Sequence, residues 1–351
     1  MKTNFYYAIL ITLVACLQSC SDDDSPGAKK YDEGVLIVNE GQFGAGTGTV
    51  TYLNPANGEL VQNIYKNTED YAGDVLQSVT LTSDKAYLVL NNDSKIEIAN
   101  ESTFAAEKTI TAPAMVSPRY VEIINGKAYI SVWGPFVEMS LVDSYVLVVD
   151  ATTLAPVDTI DTDEGTENLL YNGTYLFASN YNFGGSSTLA VIDPTDNELV
   201  DQLELYPGPS GMVLDKNNKL WVIATGTFSG DGKLFRINPT TLEIEDEIDL
   251  GIDPSSDLAI NPAKDELVYT SGKDIFRIAI TAEEAPTEPW VTVTDAVVPY
   301  ALGVDPTTGE VYFGDALNYV SPGLVYIYNT NGTLKTTVTS GICPTQFVFR
   351  K

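Results

Sequence analysis

Histidine is absent from this chain of 351 residues. Its absence excludes Ser-His-Asp and Cys-His catalysis, proton transfer through imidazole, and the common zinc and iron sites that use histidine ligands. The sequence also contains no G-x-S-x-G nucleophile elbow, no phosphate-binding glycine loop and no D-x-D-x-D-G calcium loop. We therefore expect a binding protein that is not an enzyme, with no catalytic residue, metal site or cofactor. A hydrolase or lactonase that uses only carboxylates and calcium stays open as an alternative.

Cysteine is scarce as well, and its three copies have separate positions: Cys16, Cys20 and Cys343. Cys16 lies in the predicted signal peptide and Cys20 begins the predicted tether, both described below, which leaves Cys343 alone in the remaining chain. The sequence therefore predicts no disulfide in the folded domain. We expect Cys343, next to the last predicted strand, to be a small buried residue.

Basic residues are few: 19 Lys and Arg stand against 48 Asp and Glu, which gives a formal net charge of −29. Nucleic acids and anionic membrane surfaces are bound through basic patches that neutralise phosphates. The charge balance therefore argues against both as partners.

No apolar run is long enough to cross a membrane, because the longest one near the N-terminus spans only about residues 5–14. With Lys2 before it, this run predicts a signal peptide over residues 1–19. The Leu17-Gln18-Ser19-Cys20 sequence resembles a bacterial lipobox, which implies lipidation of Cys20. Ordinary cleavage nearby, with Cys20 as an incidental thiol, is the alternative.

Residues 20–33 are predicted to be a flexible tether that begins with Cys20 and an acidic run, Asp22 to Asp24. Such a run directly after a lipidated cysteine resembles the signal that sends lipoproteins to the outer face of the outer membrane in some Gram-negative bacteria. We therefore expect a lipid-anchored outer-membrane protein exposed at the cell surface. A plain spacer on the periplasmic side is the alternative.

What the chain has in abundance is a repeat. A β-rich run ends in Asn or Asp, a turn follows, and a second β-rich run begins; the copies are 50–64, 96–110, 146–160, 189–203, 234–248 and 325–338, with a degraded copy from 275. Asx residues followed by Pro, Thr or Gly form tight turns between strands. Seven such units, each with four short strands, predict an all-β, seven-bladed β-propeller over residues 34–351.

A second repeat opens units two to seven, at 76–81, 118–123, 166–171, 209–214, 254–259 and 299–304, and it recurs at 344–349. The first unit lacks this opening strand, whereas the C-terminus carries one with nothing after it. We therefore predict that residues 346–350 pair with the strand at 35–39, which joins the chain ends and leaves no open sheet edge. A β-sandwich, or two smaller β-domains, is the alternative. Aromatic residues recur in the second strands and are expected to pack between blades: Tyr87, Tyr129, Tyr175, Trp221, Tyr269 and Tyr312.

In a propeller, the loops between strands two and three and the loops between blades lie on one face. Here those loops are rich in glycine, amides and aromatic residues, which suit a bulky ligand with apolar and amide surfaces. The candidate ligand-binding residues are Asn39, Gln42, Phe43, Asn91, Asn92, Trp133, Phe136, Asn180, Tyr181, Phe183, Phe228, Asn318 and Tyr319.

The lipobox, the Ser-Asp-Asp-Asp start of the tether, the YVLVVDATTL-type repeat and the asparagine-rich aromatic loops together resemble the YncE-like surface propellers. Within that group the chain, including the N-E-G-Q-F-G segment at 39–44, resembles the BtuG-like lipoproteins. The resemblance implies capture of cobalamin (vitamin B12) as a transported ligand, and transfer to a TonB-dependent transporter. Binding of a glycan or another nutrient, or an interaction module on the same scaffold, is the alternative.

Overall fold

The computed structural model describes residues 30–65, 71–227 and 231–350. Within these ranges, seven four-stranded antiparallel sheets follow one another as blades, which confirms the predicted seven-bladed propeller. Blade 1 contains β1 (Gly34–Asn39), β2 (Thr49–Asn54), β3 (Glu59–Val61) and the last strand of the chain. Blade 2 contains β4 (Leu76–Leu81), β5 (Lys85–Leu90), β6 (Lys95–Asn100) and β7 (Ala106–Ile110).

Blades 3 and 4 carry additions in their loops. Blade 3 contains β8 (Pro118–Ile124), β9 (Lys127–Val132), β12 (Tyr145–Asp150) and β13 (Pro156–Asp161), with a small hairpin of β10 (Phe136–Val137) and β11 (Ser140–Leu141) inserted before β12. Blade 4 contains β14 (Thr166–Tyr171), β15 (Leu176–Asn180), β16 (Thr188–Asp193) and β17 (Glu198–Glu204), with a 3-10 turn at Asn182–Gly184.

The remaining blades complete the ring. Blade 5 contains β18 (Pro209–Leu214), β19 (Leu220–Ala224), β20 (Lys233–Ile237) and β21 (Ile244–Asp249), and blade 6 contains β22 (Leu258–Ile260), β23 (Glu266–Ser271), β24 (Asp274–Ala279) and β25 (Val291–Thr292). Blade 7 contains β26 (Pro299–Val304), β27 (Val311–Asp315), β28 (Pro322–Tyr328) and β29 (Leu334–Ile342). The last strand, β30 (Pro344–Arg350), returns to blade 1.

The chain ends pair as the orphan strand predicts. In the antiparallel register of β1 and β30, Val35 faces Phe349 and Val38 faces Gln346. Closure by residues 346–350 is therefore confirmed, and it supplies the innermost strand that blade 1 otherwise lacks.

The core is a ring of layers, one between each pair of neighbouring blades in the described ranges. Because strands two and three are covered on both faces, they read as continuous Val, Ile and Leu runs. The predicted packing role of the second-strand aromatic residues is confirmed for those that are nearly or fully buried: Tyr87, Tyr129, Trp221, Tyr269 and Tyr312. Tyr175 precedes β15 by one residue and packs, partly buried, against the layer between blades 4 and 5.

Blade 6 departs most from the repeat. Its innermost strand β22 begins at Leu258, four residues later than the predicted opening at Pro254. The segment before it also hydrogen-bonds to neighbouring blades: the carbonyl of Ser256 accepts from the N–H of Gly211, and the carboxylate of Asp257 accepts from the N–H of Leu302. The residues just before β22 therefore connect blade 6 to the inner strands of blades 5 and 7.

The two faces of the ring carry different sets of loops. We call the face with the loops between strands two and three, and between blades, the top face. On the opposite face, Tyr31 packs against Tyr52 and Phe104, and its N–H donates to the carbonyl of Ser102 in the turn between β6 and β7. The described residues that precede blade 1, 30–33, therefore lie at the face opposite the top. No helix capable of crossing a membrane occurs in the described ranges.

Candidate ligand-binding face

A continuous series of hydrogen bonds links the blades at the inner edge of the ring. At least one such bond spans each of the seven blade junctions in the described ranges, and we call this series the collar. The hydrogen-bonded pairs of the collar are Gln346 with Val79, Ser78 with Arg119, Arg119 with Glu167, Asn168 with Ser210, Gly211 with Ser256, Asp257 with Leu302, and Tyr300 with Glu40. The sequence-based site prediction did not include these residues.

The collar depends on irregularities in the innermost strands. The register shifts near the top of β4, β8, β14, β18 and β26. A bulge leaves one N–H without its ladder partner and re-aims the neighbouring side chains. In β8 and β14, the freed N–H groups of Tyr120 and Asn168 donate to the hydroxyls of Ser131 and Ser179, at 3.0 and 3.1 Å. These second-strand serines are a sequence signal that could have located the bulges.

One polar contact of the collar is an ion pair with several hydrogen bonds. The guanidinium of Arg119 donates from Nε and Nη2 to the carboxylate of Glu167, with Nη2 at 2.8 Å. The indole of Trp133 donates to the same carboxylate at 2.7 Å, and its ring lies 3.8 Å from the guanidinium carbon. Burial lowers the pKa of Arg119, but the adjacent Glu167 carboxylate more than offsets this, so the pKa lies above its usual value. Trp133 is therefore fixed over a charged pair.

Other carboxyl groups near the collar are held closer to their neutral forms. Burial raises the pKa of Glu40, and the hydrogen bond donated by Tyr300 only partly offsets this. Burial also raises the pKa of Asp257 to about 6, and the pKa of Glu122, on the innermost strand β8, to about 7. Of these groups, Glu122 carries less than a full negative charge near neutral pH.

An aromatic cluster stands on the top face beside the ion pair, above blades 3 and 4. Its central ring is Phe183, whose centroid lies 5.4 Å from Trp133, 6.0 Å from Phe136 and 5.8 Å from Tyr181, all in edge-to-face geometry. Four of the predicted ligand-binding residues are thus brought together. Phe136 is 55% exposed and Phe183 is 37% exposed, so the cluster offers aromatic faces to solvent.

The loops that carry the cluster are fixed to each other. Asn182 accepts from the N–H of Leu141 at 3.2 Å, which joins the β10–β11 hairpin of blade 3 to the 3-10 turn of blade 4. Phe183 itself has φ 53° and ψ 34°, a left-handed conformation that bulky residues rarely adopt. Gly165, with φ +77°, passes so close to this turn that a Cβ would lie 2.2 Å from the Asn182 nitrogen. The arrangement therefore requires glycine at 165 and holds Phe183 in place.

A cleft of about 540 Å³ opens beside the cluster. It is lined mainly by apolar atoms and glycines, from Phe136, Met139, Ser140, Asn182, Phe183, Gly184, Gly185 and Thr227. Its volume lies in the ordinary range for small-molecule sites. Met139, at the tip of the hairpin, is 85% exposed and extends the apolar wall.

Two predicted amides are placed differently from the prediction. Asn39 and Asn180 are fully buried rather than presented on the top face. Each is the last residue of its second strand, where the side chain turns inward and serves the strand end: Asn39 donates to the Ile37 carbonyl and the Thr51 hydroxyl, both at 3.1 Å, and Asn180 donates to the Asp163 carbonyl. We correct the placement of both residues to structural positions under the top face.

The other predicted amides lie in top-face loops, but most are used within them. Asn91 donates to the carbonyl of Pro118 at 3.1 Å, Asn92 donates to Asp74 at 2.6 Å, and the Asn318 oxygen accepts from the N–H groups that close its own turn. Gln42 is exposed. Fewer side-chain amides are therefore available to contact a ligand than the number of predicted Asn and Gln residues suggests.

Exposed aromatic residues also occur across the ring from the cluster, on blades 7 and 1. Tyr319 is 50% exposed and contacts Tyr300 with centroids 5.9 Å apart. Phe43, in the loop between β1 and β2, is 76% exposed. Phe228 and Cys20 lie outside the described residues. In the described ranges, no three Cys, Asp or Glu side chains converge in a geometry suited to a metal ion.

The sequence matches one protein-family model over nearly the whole ring. That model, described as "Domain of unknown function (DUF5074)", matches residues 33–349. The chain belongs to the DUF5074 family. No match was found among curated proteins.

Solved structures of other proteins resemble this DUF5074 chain in fold. One is a quinonprotein alcohol dehydrogenase-like protein from Bacteroides thetaiotaomicron, with TM-score 0.70, 14% identity, and coverage of 91% of this chain and 78% of that chain. Another is the periplasmic gluconolactonase PpgL of Pseudomonas aeruginosa, with TM-score 0.67, 12% identity, and coverage of 91% and 99%. The Dos1 propeller is similar with TM-score 0.57 and 8% identity, and coverage of 87% and 86%. At these identities the likeness supports the propeller fold alone.

Proposed function

We propose that this DUF5074 protein is a lipid-anchored surface propeller that captures cobalamin on its top face and passes it to a TonB-dependent transporter of the outer membrane. The observation that carries the proposal is the aromatic cluster of Trp133, Phe136, Tyr181 and Phe183 with its 540 Å³ cleft. Cobalamin is large and presents both an apolar macrocycle and amide side chains, so aromatic faces beside a polar collar match its two kinds of surface.

The arrangement of the chain ends supports this use of the top face. Tyr31 is packed on the opposite face, so the first described residues of the chain lie away from the aromatic cluster. The loops that carry the cluster are already joined by Asn182. A site that is rigid before binding loses less conformational entropy when the ligand arrives.

The proposal assigns binding rather than catalysis. The chain contains no histidine, so it has no imidazole that could replace the benzimidazole ligand of the cobalt, and the vitamin is held intact. A gluconolactonase shares the fold, and lactone hydrolysis in the presence of Ca²⁺ is the assay that would separate an enzyme from the binding protein proposed here.

Substitution of Phe183 by alanine tests the proposal. We expect the affinity for cyanocobalamin, measured by calorimetric titration, to fall by about 5- to 150-fold, which corresponds to about 1–3 kcal/mol for an aromatic anchor. Leu334→Ala is a matched control, because Leu334 is 50% exposed but lies on the outer strand β29 of blade 7. Phe183 is a cleaner target than Trp133, whose removal also disturbs the ion pair. Equal affinities of the Phe183→Ala and Leu334→Ala variants would contradict the placement of the site.

A further inference from the structure

A second depression lies on the rim of the ring between blades 1 and 7, away from the aromatic cluster on blades 3 and 4. This groove has a volume of about 610 Å³, within the range of small-molecule sites. It is lined by Thr47, Thr49, Gln62, Asn63, Tyr71, Pro322, Thr339, Ser340, Gly341 and Ile342. None of these ten described lining residues is charged, although 19% of the residues in the chain are.

The charge of the groove differs from that of a comparable depression beside blade 3. That depression, of about 470 Å³, is lined by seven residues that include Asp143, Asp161 and Glu164. Hydroxyl and amide groups in the groove can donate and accept hydrogen bonds without a charge. The lining therefore suits a neutral ligand that carries many hydroxyl groups.

A chain of hydrogen bonds fixes the polar wall of the groove. Asn39 donates to the hydroxyl of Thr51 at 3.1 Å, Thr51 donates to the carboxamide oxygen of Gln62 at 2.7 Å, and Gln62 donates to the carbonyl of Thr339 at 2.8 Å. These bonds determine which end of the Gln62 amide is oxygen and which is nitrogen. One of its two N–H groups is used, so the second is held as a donor for another partner.

The floor of the groove is closely packed at Gly341. A Cβ at this position would lie 2.4 Å from the Thr49 hydroxyl and 2.8 Å from the side-chain carbon of Asn39. Asn39 is fully buried directly behind it, and its side-chain oxygen has no hydrogen-bond partner among the described residues. Glycine at 341 therefore lets the chain that forms the groove floor pack directly against Asn39, which solvent does not reach.

Tyr71 supplies the aromatic element of the groove. It is 45% exposed, and it stands among groove residues whose side chains are hydroxyl, amide or small apolar groups. An exposed aromatic ring beside fixed hydrogen-bonding groups suits sugar rings, which have one apolar and several hydroxylated surfaces. We propose that this groove is a second binding site, specific for a neutral carbohydrate chain. It is independent of the cobalamin site.

The test is native electrophoresis through gels that contain one of four neutral polysaccharides: soluble starch, xyloglucan, galactomannan or dextran. We expect at least one of them to retard the protein. Tyr71→Ala should weaken the apparent affinity at least 10-fold, whereas Tyr71→Phe, which keeps the ring, should retain it. Because Tyr71 is exposed, its replacement does not disturb the core.

Two controls keep this test separate from the cobalamin proposal. Phe136→Ala, in the aromatic cluster, should leave the retardation unchanged, and saturating cyanocobalamin should not release the polysaccharide. The inference is overturned if none of the four polysaccharides retards the protein, if Tyr71→Ala migrates as the unsubstituted protein does, or if Phe136→Ala abolishes retardation.

Discussion

Replacing Phe347 by alanine should weaken the junction that closes the ring. Phe347 lies on β30, is 8% exposed, and packs in the layer between blades 7 and 1. Its ring centroid is 5.6 Å from that of Tyr312, and its side chain lies so close to Gly303 that a Cβ there would be 2.9 Å away. The alanine variant therefore opens a cavity in the layer that joins the two ends of the chain.

The expected loss follows from the size of that cavity. Replacement of a core phenylalanine by alanine lowers the free energy of unfolding by about 3–5 kcal/mol. The neighbouring Phe349 also contacts Tyr312, at 5.1 Å, and can move partly into the space. We therefore expect a loss of about 3 kcal/mol, and for a domain of this size a fall in Tm of about 5 °C.

Urea unfolding, followed by circular dichroism and by tyrosine and tryptophan fluorescence, measures this loss. Leu334→Ala is the control, because Leu334 is half-exposed on the outer strand of blade 7 and its removal should change the free energy of unfolding by less than about 1 kcal/mol. A Phe347→Ala variant no less stable than Leu334→Ala would refute the role given to β30 in holding the ring together.

Three further predictions concern other parts of the molecule. Glu167→Gln leaves the buried Arg119 charge without its partner and should lower the free energy of unfolding by about 3 kcal/mol. The double variant Arg119→Met with Glu167→Met removes both charges and should recover most of that stability. A Glu167→Gln variant as stable as the unsubstituted protein would show that the ion pair contributes nothing to stability. Burial raises the pKa of Glu122 to about 7 from 4.5, so the folded state binds this proton more tightly than the unfolded state and loses stability as the pH rises between those values. Glu122→Gln removes that loss and should stabilise the protein more at pH 8 than at pH 4.5, as urea unfolding at both pH values would show; an equal effect at both would contradict the shift. Cys20→Ala should release the protein from the membrane fraction, and replacing Asp22, Asp23 and Asp24 by Asn should keep it membrane-bound but protected from protease in whole cells; continued protease sensitivity would identify the acidic run as a plain spacer.

The sequence predicts the architecture well because each blade repeats the same pattern of strand and turn residues. The orphan segment at 346–350 predicts its pairing with 35–39, and the pairing of Val35 with Phe349 confirms it. Tyr129 shows why the aromatic positions recur: its hydroxyl donates across the blade junction to the carbonyl of Pro194, at 2.9 Å. Such contacts recur with the spacing of the blades, so the positions of the aromatic residues can be recognised in a single sequence.

The site is less visible in the sequence, because it depends on departures from that periodicity. Arg119 and Glu167 meet through bulges in β8 and β14, which alternation along a strand does not predict. Asn39 and Asn180 look like loop amides because they end their strands, yet both side chains turn inward. Phe136 and Phe183, by contrast, lie on the top face as loop placement indicates, and they meet because Asn182 joins their loops.

Titration of the domain lacking residues 1–20 with cyanocobalamin tests the central claim most directly. We expect one vitamin to bind per chain, with an affinity that depends only weakly on salt, because the proposed contacts are aromatic and amide groups rather than charges. The visible spectrum of the bound vitamin should remain that of the form with benzimidazole on cobalt, since the chain has no histidine. The absence of heat and of any spectral change at micromolar concentrations would contradict cobalamin capture.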